Sequence, residues 1–313
     1  MITIGLDAAA LSRVRLAVSP ALEALSWLRL AAAGGRHPIF GDPGPSARFA
    51  LRDPEVRMVA AAVPAGLVGY LPDLLTPSPP VGPPERSWRQ QLERIAATSA
   101  EETARQFARI EGLDPAVHAA VHSGTFARRA AGALSRFWTA AMADSWSGLR
   151  ARLDTDLTER AQLMATRGIG ALLSTVDPRV GWSGSAIDIA KPYEYPTSLN
   201  QLVLTPSALS WPLLLLQLSN PDDAVLHYPA SGLGVAERAD EDSVARLMGV
   251  TRALLLRDLD VPRTTTDLSK RNHLSPATVS YHLSVLHGSG LVAKTREKRS
   301  VLYWRTEQGE TLR

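Results

Sequence analysis

Between residues 264 and 304 the chain reads TTTDLSKRNHLSPATVSYHLSVLHGSGLVAKTREKRSVLYW, and its caps and breakers prescribe two short helices followed by a tight hairpin. Thr264 or Thr265 caps a first helix running through Lys270, because a threonine hydroxyl accepts a hydrogen bond from one of the unpaired N–H groups of a first turn. Asn272, which tolerates a left-handed turn conformation, and His273 end that helix, and Leu274 packs inward as the chain turns. Ser275-Pro276 starts a second helix, with a hydroxyl at the cap and a ring at the first helical position, where no hydrogen bond is sacrificed. Along it Val279, Leu283 and Leu286 recur at i, i+4 and i+7, so one apolar stripe faces a core. Gly288 and Gly290 end the helix. The hairpin has arms at 291–296 and 300–305 and a mostly basic tip, Glu297-Lys298-Arg299.

The other face of the second helix is small and polar. Ser275, Ala277, Thr278, Ser280, Tyr281 and His282 carry side chains that can enter a major groove and donate, accept or touch a thymine methyl. Arg296, Lys298 and Arg299 suit a hairpin lying on phosphates. Charge agrees with this: residues 262–313 hold nine Lys and Arg against four Asp and Glu, a net of +5 in a chain of net +3, leaving −2 for the rest. The positive field is concentrated on the segment that would meet DNA, which a module used only for protein contact or dimerisation would not need.

The segment resembles the ArsR-type winged-helix transcriptional regulators of bacteria. LSPATVSYHLSVL is similar to that family's recognition helix, and GLV followed by REKRSVLYWRT to its strand and wing. The resemblance implies that Thr278, Ser280, Tyr281 and His282 contact double-stranded DNA and that Arg296, Lys298 and Arg299 hold the backbone or the minor groove. It covers about 70 C-terminal residues, counting a preceding helix at 240–256. Lys298 stands where the family often has glycine, and Tyr281 where a basic or polar residue is frequent. The long form, with LSRVRLAVSP, LVLTPSALSWP and HYPASGLG before the module, resembles actinobacterial regulators that carry a helical N-terminal region of poorly defined role.

At 313 residues the chain has room for a second, larger domain. The expected division is a sensing and dimerisation domain at 1–238 and a winged helix-turn-helix at 239–313. In the first, ITIGL reads as a strand, and 8–18, 20–33 and 46–62 as helical stretches; 77–84 is a proline-rich connector. Residues 85–176 read as three long helices broken near 112–115 and 148–154. After Asp177-Pro178 the runs AIDI, LVLT and AVLHY look like strands of a small sheet. The fold class expected is α+β, mainly helical.

Other chemistries find little support. Cysteine is absent, which excludes disulfides and thiolate metal sites. His118 and His122 stand at i and i+4 with no third ligand in view, and no metal or cofactor is expected. GWSGS at 181–185 lacks the final glycine of a nucleophile elbow, and the glycines at 168 and 170 are not followed by a third at dinucleotide-binding spacing. The uncharged tract 195–221 is interrupted by Pro196, Pro206 and Pro212 and reads as buried strands and turns, not a membrane span. No basic-then-apolar leader opens the chain, so a cytoplasmic protein is expected. Of the seven tryptophans, those in the first domain either pack its core or line a pocket for an apolar ligand. The reading as a whole is a homodimeric, DNA-binding transcriptional regulator, not an enzyme, responding to a small organic effector. An enzyme with a fused DNA-binding tail and a ligand-independent architectural protein are the alternatives.

Overall fold

The first strand alternates: Ile2, Ile4 and Leu6 are buried, while Thr3 faces outward and donates to Asp188 at 2.5 Å. This strand is β1 (Ile2–Leu6) of a computed structural model that describes residues 2–64, 70–189, 198–233, 245, 247–297, 300–310 and 312. The chain divides into two units, Met1–Gly234 and Val235–Arg313.

In the first unit β1 is followed by a single helical turn, α1 (Ala8–Leu11), capped by Asp7, and by β2 (Val14–Leu16). Helix throughout 8–18, as local composition suggests, does not form. Instead Val14 and Leu16 pair in parallel with Leu202 and Leu204, a sheet ladder that overrides local helical preference. Helix α2 (Pro20–Ala32) starts as its sequence suggests, with Ser19 accepting from the Leu22 N–H at 3.3 Å and proline at the first position. The stretch at 46–62 forms two helices, α3 (Gly44–Ala50) and α4 (Pro54–Ala61), divided where Asp53 caps the second.

Residues 85–176 form five helices, not three: α5 (Ser87–Ala97), α6 (Ala100–Phe107), α7 (Pro115–His122), α8 (Phe126–Ala141) and α9 (Trp146–Thr175). The break expected near 112–115 forms, with Asp114 capping the helix after it, whereas Ser99 caps a new helix within what reads as continuous helical composition and the chain breaks again before Phe126. The break expected at 148–154 lies inside α9. Arg150 pairs with Asp154 across it at 2.7 Å and Leu153 is fully buried, so the helix runs on to a kink at Gly168 (φ 81°, ψ 169°).

The strands form two four-stranded sheets. One has the order β3 (Val180–Trp182), β4 (Ala186–Ile189), β1, β5 (Ser198–Leu199); the other has β2, β6 (Leu202–Ser207), β8 (Val225–Pro229), β7 (Leu215–Gln217). In the second, β2, β6 and β8 are parallel and β7 is antiparallel at the edge. β6 is buried along its whole length as an inner strand between parallel neighbours, its polar Thr205 and Ser207 being hydrogen-bonded to His227 and the Ser210 N–H. A helical core centred on α2 and α8 includes Leu25, Leu28, Phe126, Leu134 and Phe137, and a separate core lies under the sheets with Ile4, Leu172, Ile187 and Leu226.

The tryptophans belong to these cores. Trp138 stacks on Trp88 with ring centroids 4.4 Å apart and meets Trp146 edge-on at 4.8 Å; Trp27 packs on the helical core, Trp182 under the sheets and Trp211 on a smaller cluster beside Leu153. Among the described residues no helix is long and apolar enough to cross a membrane.

Two buried carboxylates tie helices to strand ends. Asp156 of α9 accepts from Tyr228 Oη at 2.6 Å and from the Ser231 N–H at 2.8 Å, with the Arg160 guanidinium over the Tyr228 ring. Glu23 of α2 accepts from the backbone N–H groups of Ala208 and Leu209, at 3.1 and 2.8 Å, just beyond β6. Burial pushes the Glu23 carboxyl up from its ordinary 4.5 to about 7, against the pull of Ser207 and the two backbone donors. Such a group holds its proton longer when folded. Its contribution to stability is therefore present in full below pH 4.5 and is lost as the pH rises through 7. The stability margin of the native chain over Glu23→Gln is expected to shrink between pH 5 and pH 8 in urea melts. A margin that widens with pH would show that the backbone donors outweigh burial.

Candidate nucleic-acid interface

In the second unit, α10 (Val250–Arg257) begins after Gly249, whose φ of 89° stops any helix entering from the N-terminal side. The single helix expected at 240–256 is therefore broken there; residues 240–244 and 246 lie outside the described residues. A two-residue strand, β9 (Arg263–Thr264), leads into α11 (Thr265–Asn272). Thr264 caps it reciprocally. Its hydroxyl accepts from the Asp267 N–H at 3.1 Å, and the Asp267 carboxylate accepts from the Thr264 hydroxyl at 2.7 Å and from the Thr264 N–H at 3.2 Å, hydrogen bonds that hold that carboxyl below its ordinary range.

The turn differs in one residue from its expected form. His273 takes the left-handed conformation (φ 52°, ψ 38°), while Asn272 is the last residue of α11. The Asn272 amide explains this: it donates to Asp258 at 2.8 Å and to the Leu268 carbonyl at 3.0 Å, which holds its backbone helical and passes the turn to its neighbour. Leu274 packs against the core, and α12 (Pro276–Gly288) starts where expected, with Ser275 Oγ accepting from the Thr278 N–H at 3.1 Å.

Val279, Leu283 and Leu286 of α12 are buried against Leu255, Leu256, Leu259 and Leu268. That fixes which way the helix faces. Ser275, Ala277, Ser280 and Tyr281 are exposed, Tyr281 by 62%, whereas Thr278 and His282 are half-buried. The Thr278 hydroxyl lies 2.8 Å from that of Ser275, and the His282 ring lies edge-on to Tyr281 with centroids 5.2 Å apart. The six residues thus lie around the N-terminal half of α12 outside its buried stripe, four of them exposed.

The hairpin pairs β10 (Val292–Glu297) with β11 (Ser300–Arg305), with Glu297 opposite Ser300 and Arg296 opposite Val301; β9 adds to its other edge. Arg296 is exposed. Lys298 and Arg299, at the tip, lie outside the described residues. Lys294, two residues before Arg296 and so on the same face of β10, is also exposed, and the period of a strand would have singled it out from sequence. Lys270 is exposed near the end of α11. Arg305 is not part of this surface: it is buried, donates to the Leu259 carbonyl at 3.3 Å and pairs with Glu310 at 3.2 Å, anchoring the end of the hairpin.

Residues 254–294, from within α10 through both helices into the first strand of the hairpin, match the family model described as bacterial regulatory protein, arsR family. The chain carries an ArsR-family regulator domain. Its helix, turn, helix and hairpin are a winged helix-turn-helix, and the class supports a DNA-binding transcriptional regulator. Residues 125–234, from α8 through β8, match a family of unknown function, DUF5937, so the ArsR domain follows an N-terminal region as in the long ArsR-type form. Comparison with curated proteins and with solved structures gave no match.

The left-handed residue of the ArsR turn offers a local test. A non-glycine side chain there costs about 1–2 kcal/mol, less for residues that tolerate the region and more for β-branched ones. His273→Gly should leave the protection of α12 amides from hydrogen exchange unchanged or higher, and His273→Val should lower it by about 1 kcal/mol or more. Equal protection in both variants would mean that the turn relaxes out of the left-handed region.

Proposed function

We propose that the chain is a homodimeric, effector-responsive transcriptional regulator working in the cytoplasm, in which two copies of α12 read the half-sites of a palindromic operator. The observation that carries this reading is the outward polar surface of α12, held by the buried stripe behind it. Ser275, Ala277, Thr278, Ser280, Tyr281 and His282 are assigned to base edges and the adjoining phosphates. Arg296, Lys298 and Arg299 of the wing are assigned to the backbone, with Arg299 able to enter the minor groove. Dimerisation is favoured by geometry. One recognition helix spans too few base pairs for useful specificity, and a two-fold pair separated by about 34 Å doubles the site. Residues 1–238 are assigned to effector binding and dimerisation and 239–313 to DNA.

Thr278→Ala and Tyr281→Ala should each weaken binding to an operator selected from a random DNA pool by about 1–3 kcal/mol, with non-specific binding nearly intact. Gel-shift titrations showing native affinity in both variants would remove α12 from base readout.

The wing has a different signature. Joint replacement of Lys298 and Arg299 by alanine should weaken binding to every sequence and flatten the dependence of log affinity on log salt by about one unit for each phosphate that is no longer neutralised. An unaltered slope would take the wing off the DNA. Sedimentation of the full chain at micromolar concentration tests the dimer, which a monomeric mass would rule out.

A further inference from the structure

A cavity of about 460 Å³ opens in the N-terminal unit between the end of α5, α6 and the segment that follows β7. Its volume is that of a small-molecule site. Its walls are not the apolar, tryptophan-lined surface that the tryptophans of this region suggest, because those rings pack on the cores. They are about equally polar and apolar and carry three arginines.

Two of the three have carboxylates of their own. Arg94 pairs with Asp223 at 2.7 Å, and Arg105 pairs with Glu102. Arg109 does not: among the described residues no carboxylate lies within ion-pair distance of it. Its guanidinium donates to Ser219 Oγ at 3.3 Å and lies over the Tyr70 ring, 5.2 Å from the centroid. Ser219 in turn donates to Asp73 Oδ2 at 2.6 Å. Burial pushes the Asp73 carboxyl up, against the hydrogen bond from Ser219 and the positive charge of Arg109.

The floor is fixed by a chain of buried polar groups. Gln217 donates to Thr76 Oγ1 at 2.6 Å and to the Asp73 carbonyl at 3.2 Å, while its amide oxygen lies 3.0 Å from His227 Nε2. The other ring nitrogen of His227 is bonded to Thr205 Oγ1. Burial pushes the imidazole down to about 3, so it is neutral. With Thr205 donating to Nδ1, the Nε2 proton points at the Gln217 oxygen, and both Gln217 amide protons are taken up by Thr76 and the Asp73 carbonyl. Each polar group of the floor is thus oriented before any ligand arrives.

We propose that this cavity is the effector site and that the effector is a small polar carboxylic acid, its carboxylate on the fork of Arg109 and its hydroxyl groups on Ser219 and Asp73. A guanidinium fork matches a carboxylate bidentately. A phosphate also fits such a fork and so serves as a comparison in the test, and an apolar ligand would leave the Arg109 fork without an anion. The inference rests on the effector-responsive reading above.

The test uses the full chain with lactate, malate, 2-oxoglutarate and citrate as probes, and with 1,2-propanediol and inorganic phosphate as comparisons. At least one acid should raise the melting temperature, and its calorimetric affinity should fall at least tenfold in Arg109→Gln. Arg109 is exposed, so the ligand-free variant should melt with the native protein. Ser219→Ala should weaken the same acid. The site assignment is overturned if no acid stabilises the protein, if propanediol or phosphate does so equally, or if Arg109→Gln binds as tightly as the native chain. Gel shifts on the selected operator separate the two readings. An acid that binds through Arg109 without altering operator affinity keeps the site and sinks effector control; a response of operator affinity to another compound, intact in Arg109→Gln, does the reverse.

Discussion

The rotation of α12 about its own axis is fixed by three side chains, Val279, Leu283 and Leu286, and everything the C-terminal unit can present to DNA depends on it. Each fully buried aliphatic side chain is worth about 1.5–3 kcal/mol, so turning the helix to bury Tyr281 or Ser280 instead would cost more than any single base contact returns. The polar surface is thus not free to choose its direction. Ser275 and Pro276 determine where along the axis that surface begins, and the buried Arg305 holds the far end of the hairpin to the same core.

The N-terminal unit obeys a different rule. Its helical core and its sheet core are joined by polar ties that reach across the fold: Glu23 to the turn after β6, Asp156 to Tyr228 and Ser231, Gln217 to His227 and Asp73. Buried polar groups of this kind add little net stability, but leaving one partner unmet costs about 1–3 kcal/mol, which penalises any alternative arrangement of helices on sheets. Apolar burial holds each core together, and the polar ties select how the two are joined.

What could be read from the sequence was local. The capping residues Thr264 and Ser275, the apolar stripe of α12 and the two arms of the hairpin all act within a few residues, and each stands where its chemistry placed it. Most of the departures have distant causes. His273 replaces Asn272 in the left-handed position because Asp258, fourteen residues earlier, captures the asparagine amide. Val14 and Leu16 form a strand because β6, nearly two hundred residues later, offers them a ladder. Gly148 does not end a helix because an ion pair and a buried leucine carry α9 past it. Lys294 was within reach of strand periodicity, whereas the cavity was not, since its walls come from residues 70–109 and 217–223, which no pattern in the sequence connects.

That separation has a mechanical consequence. One wall of the cavity belongs to helices α5 and α6 and the other to the edge of a sheet, so the space is a seam between the helical core and the sheet core of one unit. Proteins yield at seams before they yield in close-packed interiors. Filling this one would stiffen the joint without rearranging either core, and the N-terminal unit would register an occupant as a change in rigidity more than as a change in shape.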